Sequence, residues 1–564
     1  MHADDLRARA AAWQADDPDE TDRAELAALL ADDSPEAAAE LADRFAGRLI
    51  FGTAGLRGAV GAGPNRMNRA TVTTATAALA AWLLGRDPAV ANAGVVVGCD
   101  ARHRSEEFAA QTARVLAGAG LRVHLLPSRQ PTPLLAYAVR YLHAAAGVMI
   151  TASHNPVGDN GYKVYVADGA PIAPPADTDV EAAMDMVGPS AAVPVAPTDS
   201  PLISLVGEEV VQAYLDAISA ELGVAPEGSA WLRLTYTPLH GVAGQLALRA
   251  FEQAGYPRPD VVAAQFAPDP DFPTLRLPNP EEPGALDLAV AQARRSGADL
   301  ILANDPDGDR LAVAIPDPAA PGGYRQLTGD QVGALLGWFL LERLAGDPGA
   351  KLSEQLVVST VVSGSLLSTI AATAGAPYAQ TLTGFKWIVR AADLRPDVRF
   401  CYGYEEALGY AVTGAVRDKD GISAALALLA VAATASRAGR SLQDVYDALE
   451  EAHGVHVTAQ VSVSTEAAID VMSRLRGAPP HDLGGDPVRA VTDYSGGSDL
   501  PSADMLGYQL AGAHVVIRPS GTEPRIKAYL EVVEQVTGRT LAAARLAADA
   551  RMARLRAAVA ELLR

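Results

Sequence analysis

The sequence predicts an α/β protein built on parallel sheets, and three observations carry that expectation. Short apolar runs rich in β-branched residues alternate with longer Ala- and Leu-rich amphipathic segments, which is the rhythm of βαβ units. The chain has 564 residues, room for about three or four units of ordinary domain size. Its composition is globular: 49% of residues are hydrophobic, and 50 glycines with 38 prolines fall well short of a disordered or collagenous content.

The elements follow in order. Residues 1–48 read as a helical N-terminal extension, in which Asp33-Ser34-Pro35-Glu36 opens a helix with proline near its first position. The alternation then runs through a strand at 94–98, a helix at 105–119, a strand at 122–126, a helix at 132–142 and a strand at 147–151. It returns with strands at 232–237, 299–303 and 356–362. Three Pro/Gly/Asp-rich stretches interrupt it. The stretch 168–202 reads as a surface excursion before the second unit, 316–323 as a strand-connecting loop, and 477–504 as an excursion inside the last unit. A strand at 514–518 and a long helix at 540–563 close the chain.

Charge and cysteine usage exclude several classes. Lys and Arg total 46 against 67 Asp and Glu, a net charge of −21 that repels nucleic acid and anionic lipid surfaces. Cys99 and Cys401 can make neither a disulfide framework nor a four-ligand zinc site, so a cytoplasmic setting is expected. The acidic, amphipathic start of the chain lacks the pattern of a signal peptide. The apolar stretch 422–436 is too short to span a bilayer and reads as a buried helix. Only five of the 46 basic residues are lysines (Lys163, Lys351, Lys386, Lys419 and Lys527), and four of these fall within or shortly after the motif segments described below.

Five segments carry candidate chemistry. Thr151-Ala152-Ser153-His154-Asn155-Pro156 follows an apolar strand, which places Ser153 on a strand-end loop where α/β sheets bind ligands; it is either a nucleophile or part of an ordinary polar turn. A Ser/His hydrolase reading lacks the G-x-S-x-G elbow. Asp305-Pro306-Asp307-Gly308-Asp309-Arg310 places three carboxylates at alternate positions. As an EF-hand it fails, because Arg310 and Pro316 stand where Gly and Glu are needed, so magnesium completed by a phosphoryl oxygen is the better reading. Arg518-Pro519-Ser520-Gly521-Thr522-Glu523-Pro524-Arg525 offers hydroxyls, a glycine and two guanidiniums between strands, a phosphate cradle unlike the absent Walker A loop. Phe51-Gly52-Thr53-Ala54-Gly55-Leu56-Arg57-Gly58 is Gly-rich with one cation, and Tyr404-Glu405-Glu406-Ala407-Leu408-Gly409 carries paired carboxylates after a strand at 398–402.

Taken in this order, these segments resemble the α-D-phosphohexomutase superfamily over about residues 45–535. Thr383-Gly384-Phe385-Lys386-Trp387 and Arg417-Asp418-Lys419-Asp420-Gly421 look like its phosphoglucomutase-2 and phosphopentomutase branch. The resemblance implies four units around a central cleft: α/β units at 49–207, 208–325 and 326–450, and a smaller α+β lid at 451–564. It implies that Ser153 is the phosphoserine, that Asp305, Asp307 and Asp309 bind Mg2+ with a phosphoserine oxygen, and that Arg310 neutralises the phosphoryl group. Lys163 and Arg57 would handle the proton and stabilise charge, with His154 in the same catalytic group. Glu405 and Glu406 would hold sugar hydroxyls, beside Thr383, Gly384 and Lys386, while Arg518, Ser520, Gly521, Thr522 and Arg525 would grip the phosphate that is not transferred.

The lysine at 163 also suits a proton that must be released near neutral pH, which arginine cannot do. Many hexomutases carry a serine after the paired glutamates, and some a histidine shortly beyond. Ala407 and Leu408-Gly409 follow here, a departure that agrees with the branch named. The activity implied is interconversion of glucose 1-phosphate and glucose 6-phosphate through a bisphosphate that also serves as activator, with pentose or mannose phosphates as alternatives. A monomer or homodimer is expected. An aspartyl phosphatase with Asp305 attacking would leave Ser153 and the arginine cradle unexplained, and a non-catalytic sugar-phosphate binding protein would not need Ser153 with three aspartates.

Overall fold

The computed structural model describes residues 3–52, 55–225, 229–393, 395–464, 468–497, 500–520 and 525–564. Three helices, Ala3–Asp16, Glu20–Ala31 and Pro35–Arg44, come first. The third starts where its sequence dictates. The Ser34 hydroxyl accepts the Ala37 N–H at 3.1 Å, and Pro35 fills a position whose N–H needs no partner. Leu26, Leu41 and Phe45 give this extension a small core, and Arg104 of the following unit ties it down through Asp19 at 2.9 Å and Asp22 at 2.6 Å.

The first large sheet has six strands, in the spatial order Leu56–Ala59, Asp159–Val166, Ala146–Ile150, Val95–Cys99, Val123–Leu125 and Ile203–Leu205. The last four are parallel and the first two antiparallel. Its central strands are apolar on both faces because helices cover both. Val95, Val97, Val148 and Ile150 pack with Phe108 and Leu116 on one side, while Val96 and Met149 pack with Leu134 and Leu135 on the other.

The second sheet runs Tyr324–Gln326, Leu311–Pro316, Leu300–Asn304, Leu234–Thr237, Asp260–Val261, and the third Tyr378–Thr381, Gln355–Thr360, Arg399–Glu405, Gly409–Ala411. In the second the last three strands are parallel and the first two join them by antiparallel pairing; in the third the first three are parallel and the last pairs antiparallel. Between them lies the helix Gly421–Arg437, apolar all round and buried over nearly its whole length. Its start is set by Asp420, whose carboxylate accepts the N–H groups of Ile422 at 3.0 Å and Ser423 at 3.2 Å. Among the described residues no single helix is long and apolar enough to cross a membrane. The fourth sheet is antiparallel throughout, in the order Val455–Ser464, Arg525–Glu534, Ala513–Pro519, Leu506–Leu510, Ala490–Asp493. The helix Leu541–Leu562 covers it with Ala544, Ala548, Met552, Leu555 and Val559, one face at helical spacing.

Three α/β units followed by an antiparallel α+β unit is the expected class. One segment departs from expectation. The stretch 168–202 is not only a surface excursion, because its helix Ala176–Asp185 sends Val180 and Met184 into the first core. Two apolar positions four residues apart in an acidic segment are too faint a stripe to read from composition.

Two glycines let helices approach the loops that matter for the site. A Cβ on Gly329, at the start of the helix Gly329–Ala345, would overlap the Glu406 carbonyl oxygen, and one on Gly421 would overlap the Arg310 carbonyl. Gly329→Ala and Gly421→Ala should each cost about 1–3 kcal/mol through overpacking. Gly85→Ala, in an open stretch of the helix Arg69–Arg86, should instead stabilise by up to about 1 kcal/mol. Thermal unfolding of the three variants tests this, and a Gly421→Ala midpoint at or above wild type would contradict the packing described.

Candidate active site

Ser153 stands just past the strand Ala146–Ile150 and is buried, with φ at +54°. The Thr151 hydroxyl accepts the Ser153 N–H at 2.9 Å and shapes the turn. The Ser153 hydroxyl donates to Asp305 Oδ2 at 2.9 Å, and His154 Nδ1 lies 3.2 Å from Ser153 Oγ. Burial, then Arg310 and Arg57, push the His154 imidazole well below its ordinary range, so it is neutral.

Asp305 follows the strand Leu300–Asn304, and its Oδ1 accepts the Arg310 N–H at 2.9 Å. Asp307 Oδ2 accepts the Thr132 hydroxyl at 2.6 Å and Lys163 Nζ at 2.6 Å. Asp309 Oδ2 receives Lys163 at 2.8 Å and Lys419 at 3.0 Å. The three carboxylates are fully buried, with one oxygen of each within 4.8 Å of the others. Burial and the two neighbouring carboxylates raise Asp305 well above the usual range. Burial also works against ionisation of Asp307 and Asp309, yet Lys163, joined at Asp309 by Lys419, holds both below the usual range.

Asp307 Oδ1 and Asp309 Oδ1 are buried without any hydrogen-bond partner. Orphaned carboxylate oxygens beside a serine hydroxyl form an all-oxygen donor set suited to a hard divalent cation, and the residues present fit one.

A cleft of about 320 Å³ opens over this cluster. Arg57, Ser153, His154, Lys163 and Arg310 line its floor, and Thr383, Gly384, Lys386, Glu405 and Glu406 form the wall from the third unit. Glu405 ends the strand Arg399–Glu405. Burial, set against the charges of Lys419 and Arg310, lifts its carboxyl above the ordinary value. Glu406 accepts the Ser363 hydroxyl at 3.2 Å, and burial followed by the charges of Glu405 and Asp330 pushes it up to about 7. Lys386 Nζ pairs with Asp177 of the first unit at 3.2 Å and lies over the Trp387 ring.

From the last sheet the cleft receives Gln460, Arg518, Lys527 and Tyr529, and Arg518 donates to the Tyr529 hydroxyl at 3.1 Å. Ser520 and Arg525 close the hairpin through the Ser520 N–H to the Arg525 carbonyl at 2.8 Å and are not among the lining residues. Gly521 and Thr522 lie outside the described residues.

Several members of the site stand in no motif singled out for chemistry. Glu281 reaches Arg310 at 3.3 Å from the loop before the helix Asp287–Ser296, and Thr132 reaches Asp307 from the start of its own helix. Lys527 could have been found by one signal, which also marks Lys419: of the five lysines, all but Lys351 line this cleft.

The comparisons with known proteins agree with this geometry. The chain matches the family described as phosphoglucomutase/phosphomannomutase, alpha/beta/alpha domains I, II and III, at residues 48–188, 212–319 and 328–452. It therefore belongs to the phosphoglucomutase/phosphomannomutase family of the α-D-phosphohexomutase superfamily and is a phosphosugar mutase, an intramolecular phosphotransferase. It is 40% identical to "Probable phosphomannomutase" of Haemophilus influenzae, over 82% of this chain and 93% of that one. It is 35% identical to "Probable phosphoribomutase" of Schizosaccharomyces pombe, over 92% of each chain, and 34% identical to phosphopentomutase of Mus musculus, over 87% of this chain and 85% of that one. The fold resembles a phosphoglucomutase/phosphomannomutase family protein from Burkholderia thailandensis, with a TM-score of 0.66, 21% identity, and 90% and 97% of the two chains covered.

If the aspartate cluster holds the cation, Asp307→Asn should weaken Mg2+ binding at least roughly tenfold, and Thr132→Val, which strips a support from Asp307, by about tenfold. Calorimetric titration of Mg2+ into the full-length protein measures both, and an Asp307→Asn affinity equal to wild type would defeat the assignment.

Proposed function

We propose that this chain interconverts glucose 1-phosphate and glucose 6-phosphate, with Ser153 carrying a phosphoryl group and glucose 1,6-bisphosphate as intermediate and activator. The observation that carries the reading is the Ser153 hydroxyl 2.9 Å from Asp305, beside two unpartnered carboxylate oxygens and beneath Glu405 and Glu406 in one cleft.

In the forward half-reaction the Ser153 Oγ–P bond breaks as a P–O bond forms to the free sugar hydroxyl. The proton lost by the sugar hydroxyl is handled by Lys163, whose Nζ stands at the carboxylates Asp307 and Asp309, and Ser153 Oγ, the leaving group, takes up a proton and is left as a free hydroxyl. Arg310 and Arg57 bring fixed positive charge to the transferring oxygens. Mg2+ at Asp305, Asp307 and Asp309 would offset the charge that accumulates there. Glu405 and Glu406 accept hydrogen bonds from neighbouring sugar hydroxyls, and Arg518 with Lys527 and Lys386 meets the phosphate that stays. After the bisphosphate turns end for end, its other phosphoryl group returns to Ser153.

Two features of the chain fit action in the cytoplasm without nucleic-acid or membrane partners. The net charge is −21, and burial pushes the free thiols of Cys99 and Cys401 up to about 11 and about 12, which disfavours the thiolate form. A pentose 1-phosphate is the second reading. Ala407 takes a hydroxyl away from the sugar wall, and relatives with pentose names match as much of the chain as those with hexose names.

Ser153→Ala should lose nearly all turnover, and intact mass should show one phosphoryl group on wild type but none on the variant. Comparing kcat/KM for glucose, mannose and ribose 1-phosphates decides the sugar, and a preference of about a hundredfold for ribose 1-phosphate would replace the glucose reading.

A carboxyl at Glu406 that ionises near neutrality becomes a pure acceptor only above its pKa. kcat/KM should therefore rise through about pH 7 in wild type, and Glu406→Gln should lose this rise while keeping the one from substrate phosphate near pH 6. Superimposable profiles would show that Glu406 does not read the sugar.

A further inference from the structure

Arg102 touches none of the reacting groups, yet it is the most heavily engaged cation near them. It is 3% exposed. Its Nη2 donates to the carbonyls of Ser153 at 2.7 Å and Asn155 at 2.6 Å, and its Nη1 to those of Pro156 at 2.7 Å and Asp159 at 3.1 Å. One guanidinium thus takes up four carbonyls of the segment that runs from Ser153 to the first residue of the strand Asp159–Val166, where the Pro156 carbonyl also accepts the Asp159 N–H at 3.0 Å. Its flat face lies 5.1 Å from the centroid of Phe272, a buried side chain of the second unit. Asp100 orients it: one carboxylate oxygen is 3.6 Å from Nε, and the other accepts the Arg102 N–H at 2.9 Å and the Ser105 hydroxyl at 2.6 Å.

We propose that Arg102, backed by Phe272, is a positioning residue that holds the backbone of the Ser153 loop in place against the aspartate loop of the second unit. The inference rests on the reading of Ser153 as the phosphoryl carrier.

Two arguments carry it. Ser153 has φ at +54° without being glycine, a left-handed conformation that costs about 1–2 kcal/mol and persists only where surrounding bonds impose it. The second argument is chemical. The hydrogen bond from Ser153 Oγ to Asp305 exists only while Oγ carries a proton. Once Oγ is esterified that donor is gone, and the phosphoryl oxygens repel the carboxylates until a cation offsets them. The loop must keep its place through both states, and the four carbonyl bonds from Arg102 do not change between them. A planar fork can span four carbonyls, and an ammonium with three donors on a flexible stem cannot.

The test compares full-length wild type, Arg102→Lys, Phe272→Leu and Ser153→Ala. Misplacement on the order of an ångström costs about a hundredfold, so Arg102→Lys should lose about that much kcat with KM within about threefold of wild type. Transfer from glucose 1,6-bisphosphate to Ser153 should slow in parallel. Phe272→Leu, which keeps the burial and loses the ring face, should lose about tenfold in kcat. Amide exchange should quicken over residues 152–160 and stay unchanged in the rest of the first unit. If Arg102→Lys fails to fold, Phe272→Leu decides, and kcat within threefold of wild type overturns the proposal. Wild-type kcat in a folded Arg102→Lys, or a uniform rise in exchange across the unit, also overturns it while an inactive Ser153→Ala leaves the Ser153 reading standing. An active Ser153→Ala overturns that reading itself.

Discussion

Burying three carboxylates within 4.8 Å of one another is the constraint to which the rest of the structure answers. Desolvating each ion costs several kcal/mol unless opposite charge is supplied at short range. The cations come from all three α/β units: Lys163 from the first sheet, Arg310 from the aspartate loop itself, and Lys419 from the approach to the central helix. The loop cannot be neutralised by any one of them, so the units are held to a common point. Neutral contacts follow the same geometry, since Thr132 donates both its N–H and its hydroxyl to Asp307, and the Gly421 N–H reaches the Gly308 carbonyl at 3.2 Å.

The three aspartates are not equivalent, and the difference follows from which of them a lysine reaches. Lys163 touches Asp307 and Asp309, and both are held below the usual carboxylate range. Asp305 has no lysine and is pushed well above it, and this is the one that receives the Ser153 hydroxyl. The serine therefore faces the carboxyl that holds a negative charge least readily. A divalent cation would invert that balance, because it would add at Asp305, which Arg310 Nε approaches only to 4.0 Å, the close positive charge that Lys163 brings to its two neighbours.

What was legible in the sequence was chemistry written in consecutive residues. Ser153, the alternate aspartates 305, 307 and 309, and the glutamates at 405 and 406 each end a strand or follow one directly, so strand pattern and residue type located them together. The scarcity of lysine was a second signal, and it pointed at Lys419 and Lys527 as clearly as at Lys163 and Lys386. What could not be read was anything whose meaning depends on a distant partner. Arg102 lies in the turn Asp100-Ala101-Arg102-His103-Arg104, where three basic side chains are indistinguishable by sequence. In the structure Arg102 grips the serine loop, His103 reaches Asp271 at 2.7 Å, and Arg104 anchors the N-terminal helices. Glu281 is one of two glutamates in a proline-rich loop, and only the fold shows which one meets Arg310.

The division of labour between the two kinds of cation fits a substrate that must be held in two orientations. Arginine brings a rigid, planar set of donors that rewards one geometry, whereas the lysine ammonium is a compact charge on a flexible stem. In the proposed cycle the arginines Arg57 and Arg310 stand at the transferring end, where the phosphoryl group would occupy one place relative to Ser153 in both half-reactions. Among the described residues that line the remainder, Lys386 and Lys527 stand in the walls beside one arginine, Arg518. There the bound phosphate sits on C6 in one half-reaction of the proposed cycle and on C1 in the other, so its angle to the ring changes while its charge does not. A site made largely of point charges accepts that change with less loss than one made of forks, and in a chain that otherwise uses arginine almost throughout, this is a physical reason for lysine to persist where it does.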